Sequence, residues 1–226
     1  MKFVSVALAA SLLVSTPALA DFTGPRAEVR LGLDAVNLGI NEKYVDAYNG
    51  VIEDSGDYDF NAKKNGAAYG LGLGYDIAAG KKFVVGVEAN VDFGGAKFCQ
   101  GGDDYEYCLK SGRDIELAVR GGVTVTPATL LYAKLGYANG RFKEVAVEDG
   151  ETLANNGKNR DGLRIGAGVE TALSGSIYLK VEYSYTDYKN WQWTETEGSQ
   201  SGWLYTSDYT YGYERHRVVA GLGYRF

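Results

Sequence analysis

Three features of the sequence predict an all-β chain folded as an eight-stranded antiparallel up-and-down barrel. Apolar and polar residues alternate with a period of two over segments of about ten residues, the signature of strands rather than helices. Glycine is abundant and proline scarce, with 31 glycines, 18 tyrosines and 3 prolines among 226 residues. Short and long connections also alternate along the chain, as they do when neighbouring strands run up and down. A mean hydropathy of -0.22 excludes a bundle of membrane helices. A net charge of -6 argues against a nucleic-acid partner, which a basic face would meet. One histidine, one methionine and two cysteines leave little material for a metal or redox site, so no cofactor is expected.

Taken in order, the first segment is an address. Met1–Ala20 has a positive Lys2, an apolar run from Phe3 to Val14 and the small-x-small site Ala18-Leu19-Ala20, which predicts a signal peptide over residues 1–20 cleaved before Asp21. The apolar run is too short for an anchor helix of about 20 residues. The domain is expected over residues 21–226, in a compartment where a cysteine pair can oxidise.

Eight strand segments follow. The first sets Ala27, Val29, Leu31, Leu33 and Ala35 against Glu28, Arg30, Gly32 and Asp34. The second, AAYGLGLGYDI, sets Tyr69, Leu71, Leu73, Tyr75 and Ile77 against three glycines and Asp76; the third, FVVGVEANVDF, opposes Phe83, Val85, Val87, Ala89, Val91 and Phe93 to Gly86, Glu88, Asn90 and Asp92. The fourth places Ile115, Leu117, Val119, Val123 and Val125 opposite Glu116, Arg120 and Gly122, and the fifth Leu131, Ala133, Leu135 and Tyr137 opposite Tyr132, Lys134 and Gly136. The sixth alternates Leu163, Ile165, Ala167 and Val169 with Arg164, Gly166, Gly168 and Glu170. The seventh alternates Ile177, Leu179, Val181, Tyr183 and Tyr185 with Tyr178, Lys180, Glu182 and Ser184. The eighth ends on Val218, Ala220, Leu222, Tyr224 and Phe226, with Arg217, Gly221, Gly223 and Arg225 between them.

In a soluble barrel of the lipocalin kind the apolar face would turn inward. Here the other face is glycine plus a few charges of both signs, a poor coat for water but a good filling for a narrow bore. The apolar face is nearly pure and carries aromatics near its ends, as a lipid-facing band does. Segments of this length also match the roughly 9–11 residues a transmembrane strand needs. The connections after the second, fourth and sixth strands are short; those after the first, third, fifth and seventh are long and polar. The expectation is a transmembrane β-barrel with short periplasmic turns and long outer loops.

The glycine-spaced segments GLGLGYDI and VVAGLGYRF, with Tyr224 and terminal Phe226 alternating at the end of RHRVVAGLGYRF, resemble the small eight-stranded barrels of Gram-negative outer membranes, the OmpA-type and OmpX-type proteins. The likeness extends over the mature chain and is to the opacity-like "outer membrane protein beta-barrel domain" group, also labelled porin family. It implies a bacterial outer-membrane location and contact with outer-membrane lipid and lipopolysaccharide. It also implies a final strand, marked by Tyr224 and Phe226, that the outer-membrane assembly machinery reads. No peptidoglycan-binding domain follows the last strand, so a cell-wall tether is not expected.

Eight strands enclose a bore that side chains can fill. The inward positions Glu28, Arg30, Asp34, Asp76, Glu88, Asp92, Glu116, Arg120, Lys134, Arg164, Glu170, Lys180, Glu182 and Arg217 are read as a paired charge network that plugs the lumen. The alternative is a gated path for a small solute or ion through the same pairs. Cys99 and Cys108, in an exported segment with no competing thiol, predict a disulfide in the loop after the third strand. The last long loop, about Asn190 to Gly212, gathers Trp191, Trp193, Trp203 and Tyr205. These are read as an outer aromatic girdle and raised hairpin, with a surface for a ligand or partner as the sharper alternative. The first loop is acidic (Glu42, Asp46, Glu53, Asp54, Asp57, Asp59), and EDSGDYD falls short of a calcium-loop pattern. His216 is the single histidine. Some barrels of this size are lipid A deacylases with a His-x-Ser pair, but Arg217 and Val218 follow here, so no nucleophile stands at that spacing and no enzyme is expected. The sequence therefore points to a structural or surface-interaction protein serving envelope integrity or adhesion. A porin-like pore is the alternative, and a lipid-modifying enzyme a further one.

Overall fold

The computed structural model describes residues 22–101, 105–148, 151–198 and 201–226, and the expected signal peptide lies outside them. Every regular element among the described residues is a strand: β1 (Gly24–Tyr48), β2 (Val51–Ala78), β3 (Phe83–Gly94), β4 (Lys97–Gly101), β5 (Tyr105–Thr126), β6 (Thr129–Glu148), β7 (Glu151–Ser174), β8 (Ile177–Gly198) and β9 (Trp203–Arg225). All neighbours pair antiparallel, and β1–β9 together with β3–β5 pairing closes the sheet into a ring. The ring has eight staves, because β3 and β4 are successive pieces of one. β3 pairs with the lower part of β5 and β4 with its upper part.

The alternation read from the sequence sorts the two faces. Glu28, Arg30 and Asp34 of β1 are buried while Val29, Leu31 and Leu33 between them stay exposed, and the same inversion of a soluble protein repeats on the other staves. Apolar side chains with no protein over them form the band that lipid covers. Aromatics border it: Tyr75, Phe83, Tyr224 and Phe226 near the end with the short turns, and Tyr69, Phe93, Tyr137 and Tyr183 toward the other.

One expectation needs correction. The connections read as long loops are mostly strand. β1 runs 25 residues and β2 28, far beyond the roughly 9–11 that cross a bilayer, and they meet in a tight turn at Asn49 and Gly50, both at positive φ. Cys99 and Cys108 lie on paired strands rather than in a loop, and the stretch from Asn190 to Gly212 belongs largely to β8 and β9. Among the described residues, the β7–β8 ladder stops at Gly162 and Tyr188 and the β2–β3 ladder at Ala68 and Gly94. Past those points the wall parts into two projecting sheets, β2-β1-β9-β8 and β4-β5-β6-β7.

Candidate functional site

The lumen is filled by charge. Among the described residues, nine basic side chains (Arg26, Arg30, Arg120, Lys134, Arg164, Lys180, Arg215, Arg217, Arg225) and nine carboxylates (Glu28, Asp34, Asp76, Glu88, Asp92, Asp114, Glu116, Glu170, Glu182) are buried there. Equal numbers matter, because an unmatched charge so deeply buried costs several kcal/mol. Nearest the short turns, Asp76 receives both Nε and Nη2 of Arg120, at 2.8 and 2.5 Å, together with Arg26 at 3.0 Å and Arg225 at 2.9 Å. Glu170 joins Arg120 to Arg225 at 3.0 and 2.6 Å.

Higher in the bore, the ammonium of Lys134 lies 2.7–2.8 Å from Glu88, Glu116 and Glu182 at once. Lys180 meets Glu28, Arg30 donates to Glu182 at 3.0 Å, and the hydroxyls of Tyr132 and Tyr178 donate to Glu182 and Glu28. The uppermost tier joins Arg164 to Asp114 and Glu116, Arg215 to Asp34 and Asp114, and Arg217 to Asp92 at 2.7 Å. Tyr188 donates to Asp114 in the same tier.

Apolar groups close the network at both ends. Phe22, Val84 and Leu130 cluster below it, and Arg225 donates to the backbone carbonyl of Phe22 at 2.8 Å. Above it Val36, Leu109, Phe142, Tyr188 and Tyr213 pack together, with the Phe142 and Tyr213 rings stacked at 4.6 Å. Glycine makes room for this filling: a Cβ on Gly223 would run into the Tyr178 ring.

The structure brings all the inward charges named from the sequence into this one network. The reading missed Arg26, Asp114, Arg215 and Arg225 as members, although each lies in phase with its strand. Arg26 and Arg215 fall just outside the segments where a lipid-facing apolar residue marks the beat. Arg225 falls on the inward face of the last segment, in phase with Arg217.

The other sites lie elsewhere. Cys99 and Cys108 face each other across β4 and β5 and form a disulfide. Glu106 lies beside them, but with both sulfurs bonded to each other the trio is no metal-ligand set. His216 sits on the outside of the wall between Tyr183, whose hydroxyl is 2.8 Å from Nδ1, and Tyr185. Trp191, Trp193, Trp203 and Tyr205 lie on a raised hairpin of β8 and β9, as expected, but are not gathered at a girdle. They stand on the inward side of the β2-β1-β9-β8 sheet, as the unbroken β1–β9 register requires. There Trp191 stacks on Tyr211 at 5.1 Å, Trp203 on Tyr205 at 6.0 Å, and Tyr44 on Tyr58 at 5.6 Å. Tyr209 donates to Glu42, which holds its hydroxyl above the ordinary tyrosine range.

A closed ring of strands, apolar outside and charge-paired within, defines a transmembrane β-barrel. The family model described as "Outer membrane protein beta-barrel domain" matches residues 6–226, and the chain belongs to that family. It is 30% identical over 172 residues to a 22 kDa outer membrane protein of Rhizobium leguminosarum bv. viciae, covering 74% of this chain and 71% of that one. It is also 30% identical over 145 residues to a 25 kDa outer-membrane immunogenic protein of Brucella canis, covering 64% of this chain and 59% of that one. Among solved structures it is similar to the outer membrane protein OprG of Pseudomonas aeruginosa, with 13% identity, a TM-score of 0.45, and coverage of 90% and 98%. The protein is a barrel of the Gram-negative outer membrane.

Proposed function

We propose that this protein is a closed barrel with a structural and surface-interaction role, and that solutes do not pass through its lumen. The observation that carries this reading is the balanced network of nine basic and nine acidic side chains, capped below by Phe22, Val84 and Leu130 and above by the Phe142–Tyr213 cluster. A path would need several of these pairs to part together, each leaving charge in low dielectric. Strand length supports the surface role, since a large share of β1, β2, β8 and β9 stands clear of the membrane. No catalysis belongs to this reading: the hydroxyl beside His216 is that of Tyr183, on the lipid side of the wall. Outer-membrane lipid and lipopolysaccharide are the surroundings proposed for the band. The final strand, with Tyr224 and Phe226 facing out, is the segment proposed to engage the assembly machinery.

Single-channel recording in planar bilayers tests this directly. The chain is purified from outer membranes, and its fold is confirmed by a heat-dependent gel shift. A silent bilayer is the expected result, and reproducible conductance steps enlarged by Phe142→Ala or altered by Glu182→Gln would establish the pore instead.

A further inference from the structure

The projecting sheet β2-β1-β9-β8 carries two chemistries on its inward side. One is the set of rings, linked through Tyr48–Trp203 at 5.2 Å, Trp203–Tyr205, Tyr209–Tyr211 and Trp191–Trp193. The other is carboxylate. Strand alternation puts Glu42, Asp46, Asp54, Glu195 and Glu197 on the same side, with Tyr44 donating to Asp54 and Tyr209 bonded to Glu42. The inward positions of 40–48, 54–62, 191–197 and 203–211 include no lysine or arginine. Much of this face is open to solvent: Tyr58 is 64% exposed and Trp193 53%.

The molecule already shows what such a face accepts. From β7, across the gap where the two sheets part, Lys158 sets its ammonium 4.3 Å from the centroid of Trp191, and the Arg160 guanidinium lies 5.2 Å from the same ring. Rings that bind cations by their faces, with carboxylates between them, are complementary to a chain of spaced positive charges.

We propose that this face docks an extended peptide segment rich in lysine and arginine. The proposal rests on the surface-interaction reading above and supplies its partner class. Basic side chains continue along the remaining rings the arrangement that Lys158 and Arg160 make at Trp191, and each lies within reach of a carboxylate. The net charge of -6 draws such a segment in from a distance.

The test titrates the protein, purified from outer membranes in detergent, with a synthetic Lys-Gly repeat of about ten residues, which spans about 33 Å when extended. Tryptophan fluorescence and calorimetry are the readouts. Saturable binding that weakens with salt is expected, falling about tenfold or more in Glu195→Gln/Glu197→Gln and in Tyr205→Ala. A Glu-Gly repeat and maltohexaose should leave the signal unchanged. The heat-dependent gel shift of each variant establishes that the barrel is intact. Maltohexaose binding in place of the lysine peptide would make the face a glycan platform and overturn the proposal. Equal affinity in all variants, or self-association with no peptide bound, would overturn it as well. Failure of peptide binding in a non-conducting barrel removes this inference alone, whereas conductance removes the closed-barrel reading whatever the peptide does.

Discussion

Arg120 grips Asp76 with two nitrogens and Glu170 with a third, and its guanidinium lies 4.9 Å from the Tyr132 ring. Deleting it leaves Asp76 to Arg26 and Arg225 and Glu170 to Arg225 alone, with one buried carboxylate in excess of the basic groups. Arg120→Ala is therefore expected to cost about 3–5 kcal/mol, seen as a lower melting temperature of the heat-modifiable gel band. Glu116→Gln, which removes one of the carboxylates around Lys134, is expected to lower it in the same direction. Unchanged melting in both would mean that the network is not what holds the bore. Gly32 tests packing rather than charge, because a Cβ there would collide with the backbone carbonyl of Val218 on β9, which cannot swing aside as a side chain can. Gly32→Leu should prevent closure and leave little barrel in the membrane fraction, as a gel without the heat shift would report. The inward glycines and charges were legible in the sequence because each alternates with a residue that lipid forces to be apolar. Asp114 was less so: it opens its segment with the polar Arg113 and Gly112 before it, so no apolar partner fixes its phase.

At the scale of elements, the membrane-crossing halves of the strands were readable and the projecting halves were not. In VIEDSGDYDFNAKKN both faces of β2 meet water, so the sequence shows no contrast between them and looks like a loop. What makes it strand is tertiary: it pairs residue by residue with β1 from Asp46 down, and β1 pairs in turn with β9 up to Tyr48 and Trp203. The aromatics of the last segment are legible as a candidate surface, but the share of β1 and β2 in that face is not, for the same reason. Its rings come from four strands and share a side only once the β1–β9 register is known. The cysteines were found by their chemistry, and the structure adds that they join β4 to β5 over a separation of 9 residues. A bridge that short within an existing ladder constrains little of the unfolded chain. A thiol assay on the unreduced protein should find no reactive cysteine. Cys99→Ser/Cys108→Ser should leave barrel melting unchanged while β4 becomes easier to cleave by protease.

Over the whole molecule, the ring is joined where its first strand meets its last. Arg225 reaches the Phe22 carbonyl across 203 positions of sequence, and the Phe226 amide donates to Pro25 at 2.9 Å. Every other strand pair in the ring is made by near neighbours in the chain, but this one waits for β9. Until then the sheet keeps two long open edges and the charged side chains of the bore have only part of their partners, so a half-made barrel has no stable resting state. The barrel therefore closes in a single late step, once β9 is in place. A chain lacking β9 would yield substrate for periplasmic proteases rather than a smaller barrel.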